Sequence, residues 1–332
     1  MTAGVYLEAY LAPLAPWLTR ADVTDVLINR PGEVWIETVD GAMSREPADQ
    51  LTEQALQRLA RQIAAASHQG VNREQPLLSA TLPDGARVQV VSPPATRGGL
   101  AMAVRKHLIS DLSLEELSRG GLFAAPAHAG AAERKAADAE LASLLEAGDL
   151  MGFLKAAVRR RKTLVIAGGT ASGKTTLLNA LVKEIPRAER LVAIEDTPEI
   201  RLDHPNAVGL VAARGETGEA RVDADSLLAA ALRLRPDRIL LGELRGAEAF
   251  AWLRAVNSGH PGSITTVHAD NPSGALDQIA LLAMTSGVDL GWDKLRAYIG
   301  QVVDVVVQLD RTEGSRRMTE VLFLAQGRNA HA

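Results

Sequence analysis

Apolar positions follow two different rhythms along this chain. In the first third the pattern mixes helical and alternating segments. Residues 5–18 read as an amphipathic helix interrupted by Pro13 and Pro16. Segments 23–29 and 33–39 read as strands joined by Asn29-Arg30-Pro31-Gly32, a strong turn signal. Leu51, Ala55, Leu59 and Ile63 recur every four residues, which predicts a helix over 51–67. Residues 81–91 predict a hairpin around Pro83-Asp84-Gly85, and 100–106 a further strand. Together these make a smaller N-terminal α+β domain over 1–123. Residues 124–150 are rich in Ala, Glu and Gly with few bulky side chains, and read as a linker and a helix.

From Leu164 onward, short apolar runs alternate with helical patterns. Candidate strands lie at 164–167, 191–195, 208–211, 238–241 and 263–268. Candidate helices fill 174–184, 224–234, 246–258 and 273–286. That alternation predicts an α/β domain over 151–332 with a mainly parallel sheet covered on both faces. No internal repeat is evident.

Composition narrows the class. At 332 residues there is room for two domains, and a net charge of −4 carries no basic excess that would mark the whole chain as a nucleic-acid binder. The absence of cysteine removes disulfides and thiolate metal sites, and fits a reducing cytoplasm. The start, Met1 to Glu8, lacks the basic and apolar stretches of a signal peptide. No run of ~18 uncharged apolar residues predicts a membrane span, which leaves peripheral membrane association open.

Chemistry enters at the ends of the candidate strands, where α/β sheets gather ligands. Residues 168–175, Gly-Gly-Thr-Ala-Ser-Gly-Lys-Thr, follow an apolar run and precede a helix. This is the context that a nucleotide phosphate loop requires. Gly168, Gly169 and Gly173 allow unusual backbone conformations and close approach to a ligand. The loop, with Thr170, Ala171 and Ser172, turns backbone N–H groups inward as an anion nest at a helix N-terminus. Lys174 would reach the β- and γ-phosphates of ATP, and Thr175, rather than the adjacent Thr176, would ligand Mg²⁺.

Three further boxes follow. Ile194-Glu195-Asp196-Thr197-Pro198-Glu199 places carboxylates where they can reach Mg²⁺ or an attacking water, or simply form a solvated turn. After 238–241, Glu243 fits the group that orients or deprotonates water in phosphoryl transfer. The strand-end Asp common in such sites is missing there, and Gly242 precedes the Glu. His268 ends the last strand, positioned to bond a γ-phosphate or Glu243, although a lone His is more often structural, and His260 carries the same ambiguity. The basic run Arg159 to Lys162 reads as a solvated face or a partner contact.

Taken in order, these boxes resemble the secretion ATPase superfamily, whose own pattern has Gly where Gly242 stands. Within it the chain is most similar to the traffic ATPases of type IV secretion systems, over about residues 23–324. The resemblance implies a RecA-like P-loop NTPase domain at the C-terminal end and an ATP hydrolase using ATP and Mg²⁺. It implies a homo-hexameric ring at the cytoplasmic face of the inner membrane, working with inner-membrane components of the secretion machine. The cargo would be a transported protein or nucleoprotein, and a membrane surface is a further contact. By position, Lys174, Glu195, Glu243 and His268 match its catalytic residues and Thr175 its metal residue. Arg87 in Asp84-Gly85-Ala86-Arg87 and Arg105 in Val104-Arg105-Lys106 match N-terminal arginines that contact the nucleotide. That would place ATP between the two domains. A pilus or type II secretion motor and a DNA-translocating ATPase are the rival readings. Type II members often carry a four-cysteine zinc module, which this chain lacks. A translocase predicts a basic channel lining, to which Arg159 to Lys162 would contribute. A scaffold that binds nucleotide without hydrolysing it is disfavoured by Lys174 and Glu243.

Overall fold

In the computed structural model, the residues described are 3–107, 113–125, 129–213, 218–312 and 314–324. Parts of the expected spans 1–123, 124–150 and 151–332 therefore lie outside the described residues. The chain forms two sheets. The first has six antiparallel strands: β1 (Val23–Ile28), β2 (Gly32–Thr38), β3 (Met43–Ala48), β4 (Leu77–Thr81), β5 (Arg87–Val91) and β6 (Ala101–Arg105), in the order β3-β2-β1-β6-β5-β4. Strand β3 was not predicted, because Met-Ser-Arg-Glu-Pro-Ala lies at an edge and has no apolar alternation.

Period-two alternation decides what each face of this sheet touches. Val26 and Ile28 of β1, Val88 and Val90 of β5 and Met102 and Val104 of β6 pack in a core with the N-terminal helices. Leu27, Val91, Ala101 and Ala103 point the other way and join a core built mostly from the second sheet and its helices. Thr52 caps the helix Glu53–Ala66, its hydroxyl accepting from the Ala55 N–H at 3.2 Å. The buried stripe of that helix is Leu56, Leu59, Ala60, Ile63 and Ala64. The four-residue spacing found the helix but assigned half-exposed Ala55 to the stripe.

The second sheet has seven strands: β7 (Leu164–Gly168), β8 (Leu191–Glu195), β9 (Ala207–Val211), β10 (Arg238–Leu241), β11 (Ile264–Val267), β12 (Val305–Thr312) and β13 (Ser315–Phe323). Its order is β13-β12-β7-β11-β10-β8-β9, parallel except for the β12–β13 hairpin. The five predicted strands are present. The hairpin was not predicted, since the exposed half of β13 reads Ser-Arg-Arg-Met-Thr-Glu. Helices Lys174–Val182, Ala224–Ala231, Glu248–Asn257 and Pro272–Met284 correspond to the four predicted ones. The stretch before β7 holds a long helix, Ala129–Glu146, and a second, Leu150–Arg159, capped by Asp149. Phe153 of the latter packs edge-on against Phe323 at 5.6 Å between ring centroids.

The two sheets meet through polar contacts as well as apolar ones. Segment 95–97, between β5 and β6, lies against β9. The Arg97 N–H donates to the Gly209 carbonyl and the Val211 N–H to the Ala95 carbonyl, each at 2.9 Å. Fully buried Arg190, at the start of β8, donates to the Leu234 carbonyl at 2.8 Å, to Asn29 at 2.7 Å and to Asn206. Burial, with Arg235 nearby, pushes its guanidinium below the usual range. Arg235 grips Glu37 of β2 with two nitrogens and reaches Asp237 at 2.7 Å. No described helix is long and apolar enough to cross a membrane.

Candidate active site

The phosphate loop forms where β7 ends. Gly168 has φ 154°, and a Cβ there would run into the Leu309 carbonyl and the Ser172 hydroxyl. Gly173 takes φ 100° as the residue before the helix Lys174–Val182, and Ala171 also sits at φ 61°. The Lys174 ammonium donates to the carbonyls of Gly168 and Gly169 at 2.8 and 3.0 Å, closing the loop on itself. Burial pushes its pKa down, Glu243 draws it back up and Arg245 adds to the lowering.

Strands β10 and β11 bring in the next groups. Glu243 follows β10, and its Oε1 lies 2.8 Å from His268 Nε2 and 3.8 Å from Lys174 Nζ. Its Oε2 accepts from Arg245, whose other arm reaches Asp196 at 3.0 Å. The bond to Glu243 raises the Arg245 guanidinium above its usual range. Two backbone-directed bonds fix this edge: Thr266 Oγ1 donates to the Gly242 carbonyl at 2.8 Å, and the Leu244 N–H to the Thr266 carbonyl at 2.9 Å. The His268 loop is tied to β12 by Gln308, which donates to the Ala269 carbonyl at 3.1 Å. A cavity of 340 Å³ beside Gly169 is lined by His268, Asp270, Asn271 and Gln278.

The acidic box adds a third layer. Glu195 ends β8 almost fully buried, and its Oε1 accepts the N–H groups of Glu199 and Ile200, both at 2.9 Å. Glu199 in turn accepts the Thr175 hydroxyl at 3.0 Å. Gly242 is now explained: a Cβ there would come within 2.9 Å of Glu195 Cγ, so the position has no room for a side chain.

A divalent cation fits this donor set on chemical grounds. Thr175 and the nearby Glu199 offer hard oxygens, and no metal-holding group of three or more His, Asp or Glu occurs among the described residues. Such a set suits Mg²⁺, which keeps several waters and shares phosphate oxygens.

Other candidates are placed elsewhere. Arg87 and Arg105 line a separate cavity of 540 Å³ with Arg233, Arg235, Thr81 and Gln89, and none of its lining residues belongs to the phosphate loop. Within this chain they do not join Lys174, and Arg105 is engaged by Asp25 at 2.9 Å. His260 is bonded to the Ala255 carbonyl at 2.9 Å, at the end of its own helix. The basic run is matched by acids: Arg159 pairs with Glu184, Arg160 with Glu140, Arg161 with Glu189 and Lys162 with Asp138. The sequence reading gave no individual role to Glu199, Arg245, Arg97 or Arg316. The first two stood inside recognised boxes. Arg316 comes from the unforeseen β13, its Cδ packed 3.1 Å from where a Gly173 Cβ would lie.

Residues 132–326 match the model of a family described as Type II/IV secretion system protein. The chain belongs to that family. The type IV secretion system protein VirB11 of Bartonella quintana is 40% identical over 326 residues, covering 94% of this chain and 91% of the relative. PtlH of Bordetella pertussis, also a type IV secretion system protein, is 41% identical over 325 residues, covering 96% and 95%. A crystal structure of the VirB11 ATPase from the Brucella suis type IV secretion system, in complex with sulphate, superposes with a TM-score of 0.85 at 36% identity, covering 96% of this chain and 97% of that one. These matches place the chain with the type IV secretion ATPases of the family, and with them the phosphate loop identifies an ATP-hydrolysing enzyme.

Proposed function

We propose that this ATPase is Mg²⁺-dependent, works as a homo-hexameric ring and supplies work to a type IV secretion machine. The observation that carries the reading is Glu243, whose carboxylate lies beside both Lys174 and His268 at the edge of the phosphate loop. Lys174 leaves the carbonyls of Gly168 and Gly169 to meet the β- and γ-phosphates. Thr175 binds the cation, which when bound neutralises phosphate charge and orients the γ-phosphoryl group. Glu243 orients the attacking water and accepts its proton as the water oxygen bonds to the γ-phosphorus and the bond to the ADP oxygen breaks. His268 holds Glu243 at its Oε1, and Arg245 releases Oε2. Glu195 sets the turn that carries Glu199. Gly168, Gly169, Thr170, Ala171, Ser172, Gly173 and Thr176 complete the phosphate-binding loop and its helix start.

Arg87 and Arg105 keep their place in this reading as nucleotide contacts supplied across a subunit boundary, since in one chain they line another cavity. The ring would sit at the cytoplasmic face of the inner membrane, against inner-membrane components of the machine, with a protein or nucleoprotein as cargo. The acids matched to Arg159 to Lys162 weigh against a DNA-lining strip. The test is steady-state ATP hydrolysis by the wild type, Lys174→Ala and Glu243→Gln, with native mass measured for each. Each variant is expected to lose about 100-fold or more in kcat, with the ring intact. Hydrolysis by the variants at the wild-type rate would sink the assignment, and obligatory stimulation by DNA would replace it with a translocase.

A further inference from the structure

We propose that Arg97 is a positioning residue for the nucleotide site, holding Glu195 and through it the turn that carries Glu199. The inference rests on the placement of Glu195 and Thr175 in the site given above. Arg97 belongs to the connection between β5 and β6, in the N-terminal part of the chain. Its backbone is fixed on β9 by the bond to Gly209, and its side chain then runs over that glycine. A Cβ at Gly209 would lie 2.9 Å from Arg97 Cγ and nearer still to the atoms beyond, so the glycine leaves the path open. At the end of this path one guanidinium nitrogen donates to the Ile200 carbonyl at 2.6 Å and another forms an ion pair with Glu195 Oε2.

The two oxygens of Glu195 therefore have separate tasks. Oε1 gathers the N–H groups of Glu199 and Ile200 and closes the turn. Oε2 faces the Arg97 guanidinium, and the carboxylate is 3% exposed. A carboxylate this buried needs a cationic partner to remain charged at reasonable cost. Arg97 supplies that charge and also pins the Ile200 carbonyl, so it grips both ends of the turn. Beyond the turn, Glu199 holds the Thr175 hydroxyl, and Asn179 holds the Glu199 carbonyl at 3.0 Å and the Arg201 N–H at 2.7 Å. The docking of segment 95–97 on β9 is thereby read at the metal-binding end of the phosphate loop. If the N-terminal part lifts away, Glu195 loses its counter-charge, the turn loosens and Thr175 loses its acceptor.

Five full-length variants test this: Arg97→Ala, Arg97→Lys, Gly209→Ala, Glu195→Gln and Arg97→Ala combined with Glu195→Gln. Hydrogen exchange over 196–201 without nucleotide is measured beside ATP turnover. Arg97→Ala is expected to speed exchange in that segment and lower kcat/KM about tenfold, mostly through kcat. Arg97→Lys should recover much of the loss, because it restores the charge. Gly209→Ala leaves the arginine present but obstructs its path, and should reproduce the defect even if Arg97→Ala fails to fold. In the double variant the loss at Arg97 should largely vanish relative to Glu195→Gln alone, since a neutral amide needs no counter-charge. Wild-type exchange over 196–201 in both Arg97→Ala and Gly209→Ala, or losses that simply add in the double variant, would overturn the inference. Turnover indifferent to Lys174→Ala would instead refute the ATPase assignment, and the exchange measurement would still decide the role of Arg97 in the turn.

Discussion

Arginine and carboxylate meet in two regions of this molecule with opposite outcomes. At the junction between the sheets, Arg235 holds Glu37 with two nitrogens, and both side chains are largely shielded from water. At the strand ends, Arg245 is 56% exposed and His268 49%, and both lean on one carboxylate that also lies 3.8 Å from Lys174. The Arg235–Glu37 pair is closed by two bonds and so fixes geometry. The site leaves its charges exchangeable, so that an incoming phosphate can compete for Lys174. The same residue types become structural or reactive according to how much water and how many partners surround them.

The largest way to break the contrast is at the junction. Glu37→Ala leaves Arg235 with its two-pronged partner gone, and folding stability should fall by about 3 kcal/mol. Thermal unfolding reads this directly, and a melting temperature equal to the wild type would mean that the junction holds no more firmly than a surface pair. A smaller effect is expected at the site from Gly242→Ala. The added methyl must displace the Glu195 stem, whose Cγ lies 2.9 Å from it, and kcat should drop roughly tenfold while the protein stays folded. Unchanged kcat would show that the acidic box tolerates displacement.

The smallest effect is a pH dependence that sharpens the contrast. Lys174 titrates below its ordinary 10.5 because burial disfavours the charged form. As pH rises through that lowered value the free enzyme loses the ammonium that meets phosphate, so kcat/KM for ATP should fall on an alkaline limb below 10.5. Stability carries the opposite sign: the unfolded chain holds more protons in that window, so the cost of the buried charge fades as pH increases. The profile of kcat/KM between neutral and alkaline pH checks it, and a limb that survives in Lys174→Ala, if any turnover remains, would assign it to another group.

Much of the fold was legible because its signals are local. The phosphate loop, the Glu243 box and the His268 box each announce themselves within a few residues at the end of an apolar run. What stayed hidden depends on distance. Arg235 and Glu37 are 198 positions apart, and nothing near either one hints at the other. Arg97 sits in Ser-Pro-Pro-Ala-Thr-Arg-Gly-Gly, which has no period at all, yet it reaches Glu195 across the sheets. Strands β3 and β13 escaped because water-facing positions along them carry charges that mask alternation. The placement of Arg87 and Arg105 was unreadable for a related reason: a strand pattern shows that side chains alternate, not which surface they confront.

The contact between segment 95–97 and β9 has one more consequence. β9 is the outermost strand of the seven-stranded sheet, and an outermost strand offers unpaired N–H and C=O groups to any extended chain nearby. Here the Gly209 carbonyl and Val211 N–H are already taken. The N-terminal part thus acts as a stopper against edge-to-edge aggregation of the ATPase sheet. A fragment beginning at residue 129 would carry the whole phosphate loop and still present a sticky rim.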